Sequence, residues 1–279
     1  MHSIIESQSF TLPTTDYNLK GAIWKAPQQK AVVCLVHGFG EHIDRYSHVA
    51  RHFNRKQLSF YAIDLPGHGK TSGKRGDIAS LNSYLKTIQI LIAKARNENP
   101  GIPLFLYGHS MGGGLAARYL VDHTETILKG VLLTSPWIEL AVKPNKIQIW
   151  LGKLLLKLGI HIPQKVNLEP AHLSRDLEVG KKYIEDPLVH NQITPRTYFA
   201  LLNNGAYLLN ENHQTSIPVL IAHGTDDHIT SMNGSKKFAE KLGTNTTLKL
   251  WTELRHETQN ETNKTEVLDF YTDWILEKI

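Results

Sequence analysis

The stretch Pro103-Leu-Phe-Leu-Tyr-Gly-His-Ser-Met-Gly-Gly-Gly-Leu-Ala-Ala117 decides how the rest of the chain is read. Leu104 to Tyr107 is a short apolar run of strand character, and Leu115 to Val121 has the spacing of a helix. Between them lies Gly108-His109-Ser110-Met111-Gly112. A strand and a helix joined through Gly-x-Ser-x-Gly require a sharp turn that presents the serine hydroxyl as a nucleophile. Gly108 and Gly112 lack a Cβ, which lets strand and helix lie close. The N–H of Met111 falls at the helix N-terminus, where negative charge is stabilised. The pentapeptide alone arises by chance in about one chain in ten of this length, so the reading depends on what surrounds it.

Upstream, Ser7 to Leu12 and Leu19 to Trp24 read as strands around the turn Pro13-Thr-Thr-Asp16. Ala31 to Val36 is a continuous apolar run, the mark of a strand buried on both faces. Helices are expected over Tyr46 to Lys56 and Leu81 to Ala95, with a strand over Ser59 to Asp64 between them. Downstream, strands over Gly130 to Leu133, Pro218 to Ala222 and Leu248 to Trp251 alternate with helices over Pro195 to Leu209, Met232 to Leu242 and Lys264 to Lys278. This alternation predicts an α/β fold with a mostly parallel sheet covered by helices on both faces. From Trp137 to about Gln192 the strand pattern disappears, and Pro144, Pro163, Pro170 and Pro187 divide the sequence into short helical pieces. Residues 137–192 are therefore expected to form an inserted, mainly helical cap on a core made of residues 1–136 and 193–279.

The chain has 279 residues, 41% of them hydrophobic, enough for one large domain with an insertion. A net charge of +5 suits an anionic membrane surface, whereas no nucleic-acid motif is present. Cys34 is the only cysteine and sits in the apolar run, so it reads as a buried thiol. Met1 to Gln8 lacks the pattern of an export leader, which makes the location expected here cytoplasmic, and no run is long enough to span a bilayer. Asn145 to Ile160 is expected to be amphipathic. Ile147, Leu151, Leu154, Leu155 and Leu158 share one face, and Lys146, Lys153 and Lys157 with Trp150 mark another. Such a helix either touches lipid or packs on the main domain with its lysines solvated.

A nucleophilic serine needs a base, a group to orient that base, and donors for an oxyanion. On folds with this elbow the order is Ser, then Asp or Glu, then His. Of fifteen histidines, only His228 and His256 follow the next candidate acid, and His228 adjoins Asp227 too closely in sequence to be held by it. His256, in the loop after the last strand, is the base by elimination and position. The acid should follow the strand Pro218 to Ala222, where Asp226 and Asp227 compete. Motif register favours Asp227, and the other carboxylate is expected in a turn or a cap. The second oxyanion donor should come from His37-Gly38-Phe39-Gly40, after the strand Ala31 to Val36. The Phe39 N–H is the candidate beside that of Met111, with His37 as a loop anchor. No His, Cys, Asp or Glu cluster has metal-ligand spacing.

With these pieces placed, the chain resembles the monoacylglycerol lipase and lysophospholipase group of the α/β hydrolases over nearly its whole length. The resemblance rests on His37-Gly-Phe-Gly-Glu-His-Ile-Asp-Arg-Tyr46, Asp64-Leu-Pro-Gly-His-Gly-Lys-Thr-Ser-Gly73 and Gly108-His-Ser-Met-Gly-Gly113. It also rests on Ser174-Arg-Asp, Asp186-Pro-Leu-Val-His190 and Arg255-His-Glu with Asn260-Glu261. It implies Ser110 as nucleophile, Asp227 as acid, His256 as base, and Phe39 and Met111 as oxyanion donors. Glu41 and Arg45 would form an ion pair, hold their loop or meet the substrate's polar head.

The implied activity is hydrolysis of a lipid ester, a monoacylglycerol above all, through an acyl-enzyme and without cofactor or metal. A lysophospholipase would use the same triad with a cationic and aromatic head-group pocket, for which Trp137 and Trp150 are candidates. A serine aminopeptidase or haloperoxidase-like member would share the elbow, and a ligand-binding relative would share the fold without turnover.

Overall fold

The apolar runs of the sequence become the middle of one large sheet. The computed structural model describes residues 6–123 and 127–279, so most of the stretch read for an export leader lies outside the described residues. In chain order the strands are β1 (Gln8–Pro13), β2 (Asn18–Trp24), β3 (Ala31–Val36), β4 (Leu58–Ile63), β5 (Leu104–His109), β6 (Leu128–Thr134), β7 (Gln164–Lys165), β8 (Gln192–Ile193), β9 (Val219–Gly224) and β10 (Thr246–Trp251). Eight of them form a sheet in the order β1-β2-β4-β3-β5-β6-β9-β10. The pairs β1/β2 and β2/β4 are antiparallel, and every pair from β4 to β10 is parallel.

The helices are α1 (Ser47–Arg55), α2 (Leu81–Glu98), α3 (Met111–Asp122), α4 (Lys146–Lys157), α5 (Leu177–Glu185), α6 (Pro195–Asn210), α7 (Met232–Leu242) and α8 (Lys264–Glu277). Side chains alternate across a strand, and β3 shows why its six residues are all apolar. Val32, Cys34 and Val36 enter the core beneath α2, α3, α6 and α7. Ala31, Val33 and Leu35 enter the opposite core, beneath α1 and α8. β5 repeats the pattern, with Leu104 and Leu106 on one face and Phe105 and Tyr107 on the other. Each fully buried Val, Leu or Phe among them contributes roughly 1.5–3 kcal/mol. The central strands are therefore a rigid platform for the loops at their C-terminal ends.

Element ends shift by a few residues from the sequence reading, and three differences have a clear physical cause. Helix α3 begins at Met111, before Leu115, although Gly112-Gly113-Gly114 have poor helix propensity. Close packing outweighs propensity here: a Cβ on Gly112 would lie 2.1 Å from the Val36 carbonyl oxygen, and one on Gly108 would lie 2.4 Å from that of Gly112. Helix α4 starts after a reciprocal capping box between Asn145 and Gln148 and ends at Lys157 rather than Ile160. Residues 137–192 are not free of strand, since β7 pairs antiparallel with β8. Two residues per strand are too few for alternation to show in a sequence.

Candidate active site

Four C-terminal strand ends bring the candidate residues together, the usual place for a site on an open parallel sheet. Ser110 follows β5, Phe39 lies in the loop after β3, Asp227 in the loop after β9, and His256 in the loop after β10. Ser110 has φ 53° and ψ −117°. A non-glycine residue at positive φ is strained by about 1–3 kcal/mol and needs its surroundings to hold it. Its N–H donates to the Thr134 carbonyl at 3.0 Å, and its carbonyl accepts from Gly114 at 3.0 Å and Trp137 at 2.7 Å.

His256 Nε2 lies 2.9 Å from the Ser110 hydroxyl oxygen, and its Nδ1 lies 2.8 Å from Asp227 Oδ2. With Nδ1–H donated to the carboxylate, Nε2 is left to accept the serine proton. Asp227 Oδ1 accepts the N–H groups of Ile229 at 2.8 Å and Thr230 at 3.0 Å. His223 of β9 lies 3.0 Å from Oδ2. Burial would raise the Asp227 pKa, but His256 and His223 outweigh it and hold the carboxylate well below its ordinary range. Burial likewise lowers His256, and Asp227 outweighs that, so the imidazole sits above its ordinary value. The loop of His256 is tied down by the Ser135 hydroxyl, which donates to the His256 carbonyl at 2.7 Å, and by the Glu257 N–H, which donates to the Leu173 carbonyl at 2.7 Å.

The competing residues go elsewhere. Asp226 is 46% exposed at its side chain and pairs with His228 at 3.0 Å. The turn role expected of one aspartate falls on Asp227 itself, through Oδ1. His37 accepts the Leu65 N–H at Nε2, 2.9 Å, and donates from Nδ1 to the Gly38 carbonyl, 2.8 Å, which anchors the loop of Phe39. His109, with its ring 5.0 Å from that of His256, is pushed down to about 3 by burial and stays neutral. Met111 is the first residue of α3, so its N–H has no acceptor within the helix. The Phe39 N–H makes no hydrogen bond among the described residues. Glu41 is bonded to Arg45, and Arg45 to Glu257. The sequence reading gave no role to Glu257, Tyr46, His223 or Ser135. Tyr46 and Glu257 lie in quoted motifs and His223 and Ser135 just past strands read from the sequence, but only the folded chain shows what they contact.

These side chains open into a chamber of about 120 Å³. Its lining is largely apolar and includes Trp137, Leu140, Val166, Leu168, Ile193 and Tyr198. The ion-paired Arg45 and the buried carboxylates of Glu41 and Glu257 also border it. Trp150, a head-group candidate in the sequence, is 62% exposed on the outer surface and is not part of the chamber. The arrangement can pass a proton from a serine hydroxyl to an imidazole beside an apolar ligand.

A family model described as serine aminopeptidase, S33, matches residues 27–263. An uncharacterized abhydrolase domain-containing protein of Dictyostelium discoideum is 35% identical over 89% of this chain, which spans only 26% of that protein. A monoacylglycerol lipase of Mycolicibacterium smegmatis is 33% identical, with 88% of each chain covered. The crystal structure of Paleococcus ferrophilus monoacylglycerol lipase superposes with a TM-score of 0.85 at 31% identity, covering 94% of this chain and 99% of that one. The chain belongs to the α/β-hydrolase family, as a serine hydrolase of the S33 type within the monoacylglycerol lipase group.

Proposed function

We propose that this enzyme hydrolyses monoacylglycerols to a fatty acid and glycerol, with Ser110 as nucleophile, His256 as general base and acid, and Asp227 orienting the imidazole. His256 Nε2 takes the Ser110 proton as Oγ attacks the ester carbonyl. The Phe39 and Met111 N–H groups hold the resulting oxyanion, and loss of one such donor typically costs about 100-fold or more in rate. The alcohol leaves with the proton from His256, and water then cleaves the acyl-enzyme by the same route.

The observation that carries the substrate reading is the largely apolar chamber beside Ser110 and His256. Its apolar lining suits an acyl chain, at roughly 0.8 kcal/mol per buried methylene. Two carboxylates border the chamber and disfavour a phosphate, and only Trp137 of the two candidate tryptophans faces the space, which weighs against a lysophospholipid head. The names of the relatives from Mycolicibacterium and Paleococcus support the same choice. A panel of monoacylglycerol, diacylglycerol, lysophosphatidylcholine and aminoacyl-nitroanilide tests it. Fastest acid release from the monoacylglycerol is expected, and faster cleavage of the lysolipid or the anilide would overturn it.

Residues 137–192 act in this reading as a cap. Trp137, Leu140, Val166, Leu168 and Leu173 close the chamber from that side. Helix α4 has no buried residue, and Ile147, Trp150, Leu151, Leu154 and Leu158 are all exposed. At 100° per residue Trp150 lies at the border between this stripe and the lysines, not apart from it, and Leu155 turns partly inward. An outward apolar stripe edged by tryptophan and lysine suits the surface of a bilayer. Among the described residues no helix is long and apolar enough to cross a membrane, so the contact proposed is peripheral. Leu154→Glu should reduce co-sedimentation with anionic vesicles, and unchanged binding would refute the contact.

A further inference from the structure

The loop that carries Phe39 is gripped by a buried carboxylate. Glu41 Oε1 accepts the Gly38 N–H at 2.6 Å and the Tyr46 hydroxyl at 2.6 Å. Its other oxygen accepts from Arg45. Arg45 then forks onto Glu257, with Nη1 to Oε1 at 2.7 Å and Nη2 to Oε2 at 2.8 Å. Asn260 donates to Glu257 Oε2 at 2.7 Å. Glu41 is 3% exposed and Glu257 2%. Buried ion clusters are weak sources of stability, because desolvating the charges offsets their attraction. What this cluster does achieve is a connection: one end holds the oxyanion loop and the other is the residue next to His256.

We propose that Glu41, Arg45 and Glu257 are positioning residues, a brace that sets the oxyanion loop against the base and keeps a carboxylate beside His256. The inference rests on the roles given above to His256 and Phe39. Burial raises Glu257, but Arg45 outweighs it and brings the group down to about 2, so it is ionised at any working pH. The charged and titratable groups facing His256 are Asp227 from the β9 loop, with His223 behind it, His109 from β5, Glu41 and Arg45 from the segment after β3, and Glu257 from its own loop. The carboxylates of Asp227, Glu257 and Glu41 all favour the imidazolium. Removing the charge of Glu257 also frees part of Arg45's positive charge, which acts in the same direction.

The test compares Glu257→Gln and Arg45→Lys by kcat and kcat/KM against pH on a short soluble ester, per active site titrated with a fluorophosphonate. Glu257→Gln should move the acid limb of kcat/KM to lower pH by about half to one unit. Arg45→Lys keeps the charge but loses the bidentate fork. Its acid limb should stay in place while kcat falls roughly tenfold, with KM within about twofold. A merely structural cluster would lower the fraction of titratable sites and leave the limb and the kcat per site unchanged. That result overturns the proposal. If Glu257→Gln does not fold, the kcat of Arg45→Lys per titrated site decides alone. Loss of turnover in His256→Ala checks the underlying assignment separately.

Discussion

Asp227→Asn should lower kcat/KM by about 10⁴, or about 5–6 kcal/mol of barrier, in a protein that still folds. The geometry fixes which way the new amide points. Asp227 Oδ1 accepts two backbone N–H groups, from Ile229 and Thr230, so the amide oxygen must occupy that position. The NH₂ then takes the place of Oδ2, facing His256 Nδ1 across 2.8 Å. A donor opposite Nδ1 favours the imidazole tautomer with its proton on Nε2. That nitrogen faces the Ser110 hydroxyl at 2.9 Å and can no longer accept from it. The imidazolium formed during reaction also loses its counter-charge. Asp226→Asn weakens only solvent-exposed pairs, with His228 at 3.0 Å and with Arg255 at 3.6 Å, each worth under about 1 kcal/mol, so its kcat/KM should stay within about fivefold of wild type. Both variants are assayed on a p-nitrophenyl ester, with circular dichroism as the folding control. A larger loss in Asp226→Asn, or a loss under tenfold in folded Asp227→Asn, would refute the assignment of the acid.

Two further outcomes follow from the same structure. Gly112→Ala places a Cβ 2.1 Å from the Val36 carbonyl oxygen and 2.4 Å from that of His37; overpacking against backbone should cost about 1–3 kcal/mol or more, read as a lower urea midpoint. The His256 imidazole, raised by Asp227, must be neutral to act as base, so kcat/KM should fall as pH drops through a value above the ordinary histidine pKa near 6.5; a midpoint below that value would contradict the close pairing with Asp227.

The parallel core was legible because strands buried on both faces have to be continuously apolar, and Ala31–Val36 and Leu104–Tyr107 are. The elbow was legible because a tight strand–helix contact excludes every side chain but glycine's at two fixed positions. The positions named as nucleophile, acid and base lie within hydrogen-bond distance of one another, an arrangement that chain order had narrowed to a few residues. What the sequence obscured came from contacts far apart in the chain. Met111 starts a helix through three glycines because packing against β3 overrides propensity. Asp227 is both turn former and partner of His256, where the sequence suggested a division of labour with Asp226. Glu257 is adjacent to His256 in sequence, yet its meaning depends on Arg45, which lies more than two hundred residues earlier. Trp150 looked like a partner of Trp137, and only the path of α4 places it outside the chamber.

The most direct measurement is the initial rate of acid release from 1-oleoylglycerol and from oleoyl lysophosphatidylcholine, for the wild-type protein and for Ser110→Ala. Faster release from the glycerol ester is expected, with a fall of at least about 10³-fold in folded Ser110→Ala. Equal or faster release from the lysolipid, or turnover by Ser110→Ala close to wild type, would contradict it.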